Sequence, residues 1–184
     1  MLRGGKMKIG IMSDSHGNIE YVKKAIKILE ENNVDYFIHL GDNYSDVEQF
    51  VTSHPNLIRV PGVFCNEYQN HSVKNRIIKH FKNFKVLITH TIKSHENDLL
   101  GDLKPENLIE KKAIDVVLYG HTHLWDVKYE KGILFVNPGH LKIEDKKGKP
   151  PTFGVLEIDN TSKNLNVKII GIDGNILFDK NFGL

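Results

Sequence analysis

Gly120-His121-Thr122-His123 follows an apolar run, Ala113 to Leu118. An apolar run that stops at Gly-His-x-His sets two imidazoles at the carboxyl end of a buried strand. In extended backbone, residues i and i+2 point to one side, so His121 and His123 converge. Neutral imidazole is a good ligand for transition metals. Alone, the tetrapeptide is equally a chance pair of surface histidines. The other strand ends decide the matter. Asp14-Ser15-His16 closes the run from Lys8 to Ser13, Gly41-Asp42 closes Asp35 to Leu40, and Thr89-His90 closes the run from Phe84. Leu57 to Val60 leads into Pro61-Gly62 and then Val63-Phe64-Cys65-Asn66-Glu67. Asp14, His16, Asp42, Asn66, His90, His121 and His123 thus gather as two carboxylates, four imidazoles and an amide. No thiolate is required. Seven ligands are too many for one tetrahedral zinc. They suit two divalent cations about 3.5–4 Å apart that share a carboxylate, a pair that clamps a displacement at phosphorus.

Those residues need a scaffold that presents strand ends on one rim. Ile19, Val22, Ala25, Ile26 and Leu29 recur at helical spacing behind Asn18, a suitable N-cap. A second helix is expected over Ser45 to Thr52. Strand, helix, strand, helix, strand argues for a parallel central sheet, and such sheets bind ligands at the carboxyl ends of their strands. Arg76 to Phe81 and Phe84 to His90 read as two strands around Lys82-Asn83. Thr91 to Gly101 is polar and irregular. Lys104 to Lys112 is expected to be helical, with Pro105 in its first turn. After the Gly-His-x-His stretch the texture changes. Asp126–Glu130, Ile133–Val136, Thr152–Ile158, Leu165–Ile172 and Asn175–Lys180 are short strands. Turns such as Lys131-Gly132, Asp159-Asn160 and Asp173-Gly174 separate them, which predicts an antiparallel meander. Residues 7–184 read as one domain, and 1–6 as a tail or extended start.

The chain has 184 residues, 40% hydrophobic and 26% charged, with net charge +2. That balance is ordinary for a globular protein and argues against general nucleic-acid binding. Cys65 is the only cysteine, so no internal disulfide forms, which fits a reducing compartment and a cytoplasmic location. No apolar run approaches the roughly 20 residues that span a bilayer. Met1 to Lys6 lacks the apolar core of a signal peptide. An exposed edge strand in the C-terminal sheet leaves a homo-oligomer open.

In their order along the chain, Asp14-Ser15-His16, Gly41-Asp42, Gly62 to Glu67, Thr89-His90, Gly120-His121-Thr122-His123 and Asn137-Pro138-Gly139 resemble the motifs of the calcineurin-like metallophosphoesterase superfamily. Length and C-terminal strands are most similar to its small YfcE-type phosphodiesterase branch. The resemblance implies an α/β (α+β) fold, a two-sheet β-sandwich flanked by helices. It implies one metal on Asp14, His16, Asp42 and His123, and another on Asp42, Asn66, His90 and His121. Asp42 bridges, and Asp42, His90 and His121 are the residues closest to the chemistry. The implied reaction is hydrolysis of a small phosphodiester by a hydroxide held between two divalent metals, Mn²⁺ foremost, with Ni²⁺, Fe²⁺ or Zn²⁺ also compatible. One departure is plain. The family places asparagine directly after the glycine of its third motif, whereas here Val63 follows Gly62 and Asn66 comes four residues on, with Glu67 the runner-up ligand. The histidine that protonates the leaving group in many monoesterases is missing. His95 and His140 are read as solvent-facing or structural, with proton donation as the alternative, and His39 as structural. Lys142 to Lys149 reads as a solvated loop from which Lys147 or Lys149 could reach a phosphate. Tyr44 and Trp125 are possible pocket walls. Two other functions fit the same fold: a protein-binding scaffold like a retromer subunit, which predicts lost ligands, and a phosphomonoesterase.

Overall fold

The computed structural model describes residues 6–145, 147–159, 161–162 and 164–183. In chain order the elements are β1 (Lys6–Met12), α1 (Ile19–Glu31), β2 (Tyr36–His39), β3 (Leu57–Arg59), β4 (Arg76–Phe81), β5 (Phe84–Thr89), α2 (Pro105–Glu110), β6 (Val116–Leu118), β7 (Asp126–Glu130), β8 (Ile133–Asn137), β9 (Thr152–Asp159), β10 (Asn164–Gly171) and β11 (Ile176–Gly183). They form two sheets, one ordered β11-β10-β9-β1-β2-β3 and the other β4-β5-β6-β8-β7.

Alternation along β1 sets the layers. Ile9 and Ile11 point into the core between the sheets, where they meet Ile38, Val86, Ile88, Leu118, Val136 and Leu156. Met12, on the other face, joins Val22, Ala25, Ile26 and Leu29 of α1. The outer face of the second sheet buries Leu87, Val117 and Phe135 against Leu108 and Ile109 of α2. Each buried aliphatic side chain contributes roughly 1.5–3 kcal/mol. The sandwich flanked by helices is as expected. Asn18 caps α1, its side chain accepting from the Tyr21 amide at 3.4 Å.

β1, β2 and β3 are parallel, as are β5, β6 and β8. Both parallel sets end on one rim of the sandwich. Three details differ from the sequence reading. The segment after Asp42 forms a 3-10 turn, Tyr44–Phe50, without a side-chain cap. Asp46, in its first turn, accepts instead from Ser15 and from the Gly17 amide. The helix expected over Lys104 to Lys112 is confined to Pro105–Glu110, and Lys112 turns left-handed at φ 48°. The five C-terminal strands are not one meander. β7 and β8 complete the second sheet, while β9, β10 and β11 extend the first through β1. Hydrophobic alternation reports that a strand has a buried face, not which sheet owns it. The Asp159-Asn160 turn involves Asn160, and the expected tail covers Met1 to Gly5; both lie outside the described residues. Lys6 already belongs to β1.

Candidate metal centre

The β1 end delivers Asp14, whose carboxylate is buried. Ser13 Oγ donates to Asp14 Oδ2 at 2.5 Å, and the His121 amide donates to the same oxygen at 2.9 Å. Those donors leave Oδ1 turned toward His123 Nε2, 3.5 Å away. The approach of the β6 end to the β1 end depends on Gly120. A Cβ there would lie 2.0 Å from Ser13 Oγ and 2.6 Å from Asp14 Oδ2. Burial pushes the Asp14 carboxyl up to about 6 against the opposing pull of Ser13 and His123. A carboxylate this costly to ionise is well placed to receive a cation.

Five of the seven expected ligands have left-handed backbone: Asp14 (φ 52°), His16 (47°), Asp42 (77°), His121 (68°) and His123 (62°). Asp and His are among the residue types that tolerate this region, yet each instance costs on the order of 1–3 kcal/mol. The cost is met by tight backbone stitching. The Asp14 amide donates to Gly41 O, and the Gly62 amide to Asp42 O, both at 3.0 Å. Asp42 Oδ2 touches His16 Nδ1 but is buried with no hydrogen-bond partner. Burial alone would raise the Asp42 carboxyl, but the imidazoles of His16, His90 and His123 outweigh it and hold it below the usual range.

The ring nitrogens complete the picture. His16 Nε2 faces His123 Nε2 at 2.9 Å. Ligand atoms of Asp14, His16 and His123 all lie within 4.8 Å of one another. His90 Nδ1 donates to Leu40 O at 2.8 Å, so its Nε2 lone pair faces His121 Nδ1 at 3.2 Å. Burial lowers His90 to about 4, and burial together with His90 lowers His121. Both are neutral near pH 7, the form that binds metal. An orphaned carboxylate oxygen and paired ring nitrogens turned toward each other fit divalent cations.

Six of the seven expected residues therefore meet. Asn66 does not join them through any described hydrogen bond; it is exposed at the start of a 3-10 turn, Asn66–Gln69. Glu67 is half-buried there. Val63, directly after Gly62, is buried, and its carbonyl accepts from Asn97 Nδ2 at 2.8 Å. Burial pushes the Cys65 thiol up, away from thiolate chemistry.

Other singled-out residues find plain roles. His140 is buried, with Nδ1 accepting the Lys142 amide and Nε2 bonded to Lys149 O. His95 Nδ1 accepts the Asn97 amide, and its ring meets Phe64 edge-on. Trp125 packs against Phe178, and the Tyr44 ring carries the Arg59 guanidinium. His39 is fully buried and lowered to about 4 by that burial. It contacts Ser15 Oγ at 3.1 Å, and Ser15 donates to Asp46 at 2.6 Å. A buried Ser, His and Asp invite comparison with a nucleophilic triad. Here the serine proton goes to the carboxylate and all three are shielded, so the group braces the Asp14–Gly17 loop. Sequence reasoning missed that brace, because its three members belong to different elements.

The family model for the calcineurin-like phosphoesterase superfamily domain matches residues 7–161. The chain belongs to that superfamily. A curated member, phosphodiesterase MJ0936 of Methanocaldococcus jannaschii, is 34% identical over 146 residues, covering 72% of this chain and 83% of that one. Among solved structures, the phosphoesterase Yfce from E. coli superposes with a TM-score of 0.67 at 22% identity, covering 95% of this chain and 98% of its own. Vacuolar Protein Sorting 29 from Cryptosporidium parvum gives 0.72 at 19% identity, with coverage of 98% and 100%. At such identities the likeness is one of fold, and it is the two-sheet sandwich expected above. Membership of the superfamily implies divalent metal ions, and ligand atoms of Asp14, His16 and His123 lie close enough together to hold one.

Proposed function

We propose that this protein is a metal-dependent phosphodiesterase acting on a small phosphodiester. The observation that carries the proposal is the convergence of Asp14, His16, Asp42, His90, His121 and His123 on one rim, with the ring nitrogens of two histidine pairs turned toward each other. Asp14, His16, Asp42 and His123 would hold one cation; Asp42, His90 and His121, with Asn66 or Glu67, would hold the other. When bound, such a pair supplies water of lowered pKa and neutralises charge that develops on phosphoryl oxygens. The chain's own part is to orient and to exclude. Neutral His90 and His121 offer lone pairs without releasing a proton. Asp14 spends one oxygen on Ser13 and the His121 amide and keeps the other free. His16 and His121 are exposed, which leaves the substrate side open. The phosphodiesterase name of the Methanocaldococcus relative supports the diester class. Mn²⁺ is the first metal to try, since ligand type also admits Ni²⁺, Fe²⁺ and Zn²⁺. No described helix is long and apolar enough to cross a membrane. One cysteine suits the cytoplasm.

The test is hydrolysis of a bis-aryl phosphodiester beside the mono-aryl ester by chelator-stripped protein, with and without Mn²⁺. Diester cleavage restored by metal, with little monoester cleavage, is the expected result. Preferred cleavage of the monoester would make the chain a phosphomonoesterase. No turnover of either ester despite bound metal would favour a protein-binding scaffold, the alternative that the likeness to Vacuolar Protein Sorting 29 brings to mind.

Asn66→Ala and Glu67→Ala separate the two candidates for the second cation. Asn66→Ala is expected to lower occupancy of one metal and leave the other unchanged. If Glu67→Ala does so instead, the third motif must be shifted by one residue.

A further inference from the structure

One carboxylate touches the six from outside. Asp145 lies in the lysine-rich loop between β8 and β9, and its Oδ1 sits 3.1 Å from His123 Nδ1. Although the loop is at the protein's rim, the Asp145 side chain is covered, only 3% exposed. The loop is fastened there. The Lys147 amide donates to Asp145 Oδ2 at 3.0 Å, the Gly148 amide to Asp145 O at 2.8 Å, and Lys147 Nζ to Thr122 O at 2.6 Å. Both carboxylate oxygens are thus engaged, one on the loop's own backbone and one on the histidine. Lys147 is committed to the turn between His121 and His123. A solvated loop would make neither contact.

An ionised carboxylate can only accept. Asp14 Oδ1 also faces this ring, but it stands 3.5 Å from Nε2 without a described hydrogen bond, whereas Asp145 is bonded to Nδ1 at 3.1 Å. In its neutral form His123 therefore carries its hydrogen on Nδ1 and keeps a lone pair on Nε2. That Nε2 is the atom 3.5 Å from Asp14 Oδ1 and 2.9 Å from His16 Nε2. We propose that Asp145 is the positioning residue of His123, holding the imidazole in the tautomer and ring orientation that present Nε2 to the first metal position. This rests on the metal reading proposed above. His90 offers the parallel case within the same site, since Leu40 O fixes its tautomer. In that half the acceptor is backbone; in the His123 half it is a side chain and can be removed. Partners that orient a ligating histidine are commonly worth 10- to 100-fold, in order of magnitude, in metal affinity.

The test has two arms, both on the full chain. First, long-range ¹H–¹⁵N spectra of metal-free protein, above the ordinary imidazole titration range, report the His123 tautomer. The wild type is expected to carry hydrogen on Nδ1. Asp145→Ala should move it toward Nε2, and Asp145→Asn, whose amide oxygen still accepts, should keep it on Nδ1. Second, Mn²⁺ titration should show that Asp145→Ala weakens, by about 10- to 100-fold, the same ion that His123→Ala weakens. In the His123→Ala background the Asp145 substitution should then have no further effect. An unchanged tautomer in Asp145→Ala overturns the proposal, as does an equal loss in the His123→Ala background. Wild type that binds no Mn²⁺ while the tautomer responds as expected would sink the metal reading and leave Asp145's hold on His123 standing.

Discussion

Asp42→Asn is expected to abolish diester turnover, by more than about 10³-fold, and to weaken both metal positions at once. The scale follows from losing a few kcal/mol of electrostatic stabilisation. The substitution is close to isosteric and suits the left-handed backbone at this residue, φ 77°. The fold should therefore survive, with a thermal midpoint near that of wild type. What is lost is charge. Asp42 Oδ2 is buried against His16 Nδ1 and has no other partner, a position that suits a cation. An amide offers one neutral oxygen and, turned the other way, a nitrogen that repels metal. Metal content by atomic emission and diester hydrolysis, measured on the same preparation, check this. A variant that retains two metals and normal rate would remove Asp42 from the bridging role.

Gly62→Ala is the second large effect, and it arises from contact, since Gly62 is absent from the left-handed positions. A Cβ on Gly62 would lie 2.4 Å from Asp42 Cα, 2.6 Å from its carbonyl oxygen and 2.7 Å from its amide nitrogen. All three are backbone, so no rotamer change relieves the clash. Overpacking of this kind typically costs about 1–3 kcal/mol. The 3.0 Å hydrogen bond from the Gly62 amide to Asp42 O would be disturbed as well. Because the displaced backbone carries Asp42, activity should fall further than stability. Denaturant melts read beside turnover separate the two. Wild-type turnover in Gly62→Ala would mean that the Asp42 loop has slack which the packing does not suggest.

Much of the site was legible because metal ligands must be of few chemical types. Asp14, His16, Asp42, His90, His121 and His123 stand at the ends of apolar runs, and apolar runs are visible in one dimension. β4 and β7 begin and end as the alternation indicated. Asn66 is less plainly marked: its amide is of the right kind, but its spacing from Gly62 departs from the motif and a 3-10 turn sets it on the surface. Asp145 went unread: an acid among lysines looks solvated until the loop folds back on Thr122 and His123. The C-terminal strands were individually plain, yet their division between two sheets depends on pairings with β1 and β6, more than a hundred residues away in the first case. Such pairings leave no local signal.

The left-handed turns at Asp14 and Asp42 also bear on how this rim changes under drift. At these positions glycine fits freely and asparagine nearly so, while β-branched residues do not. Asp→Asn and Asp→Gly are each a single-nucleotide change. The replacements the backbone accepts most readily are the ones that discard the charge and keep the turn. A lineage can thus part with its cations in one step and retain the sandwich whole. In sequence space, a hydrolase and an inert platform of the same shape are immediate neighbours.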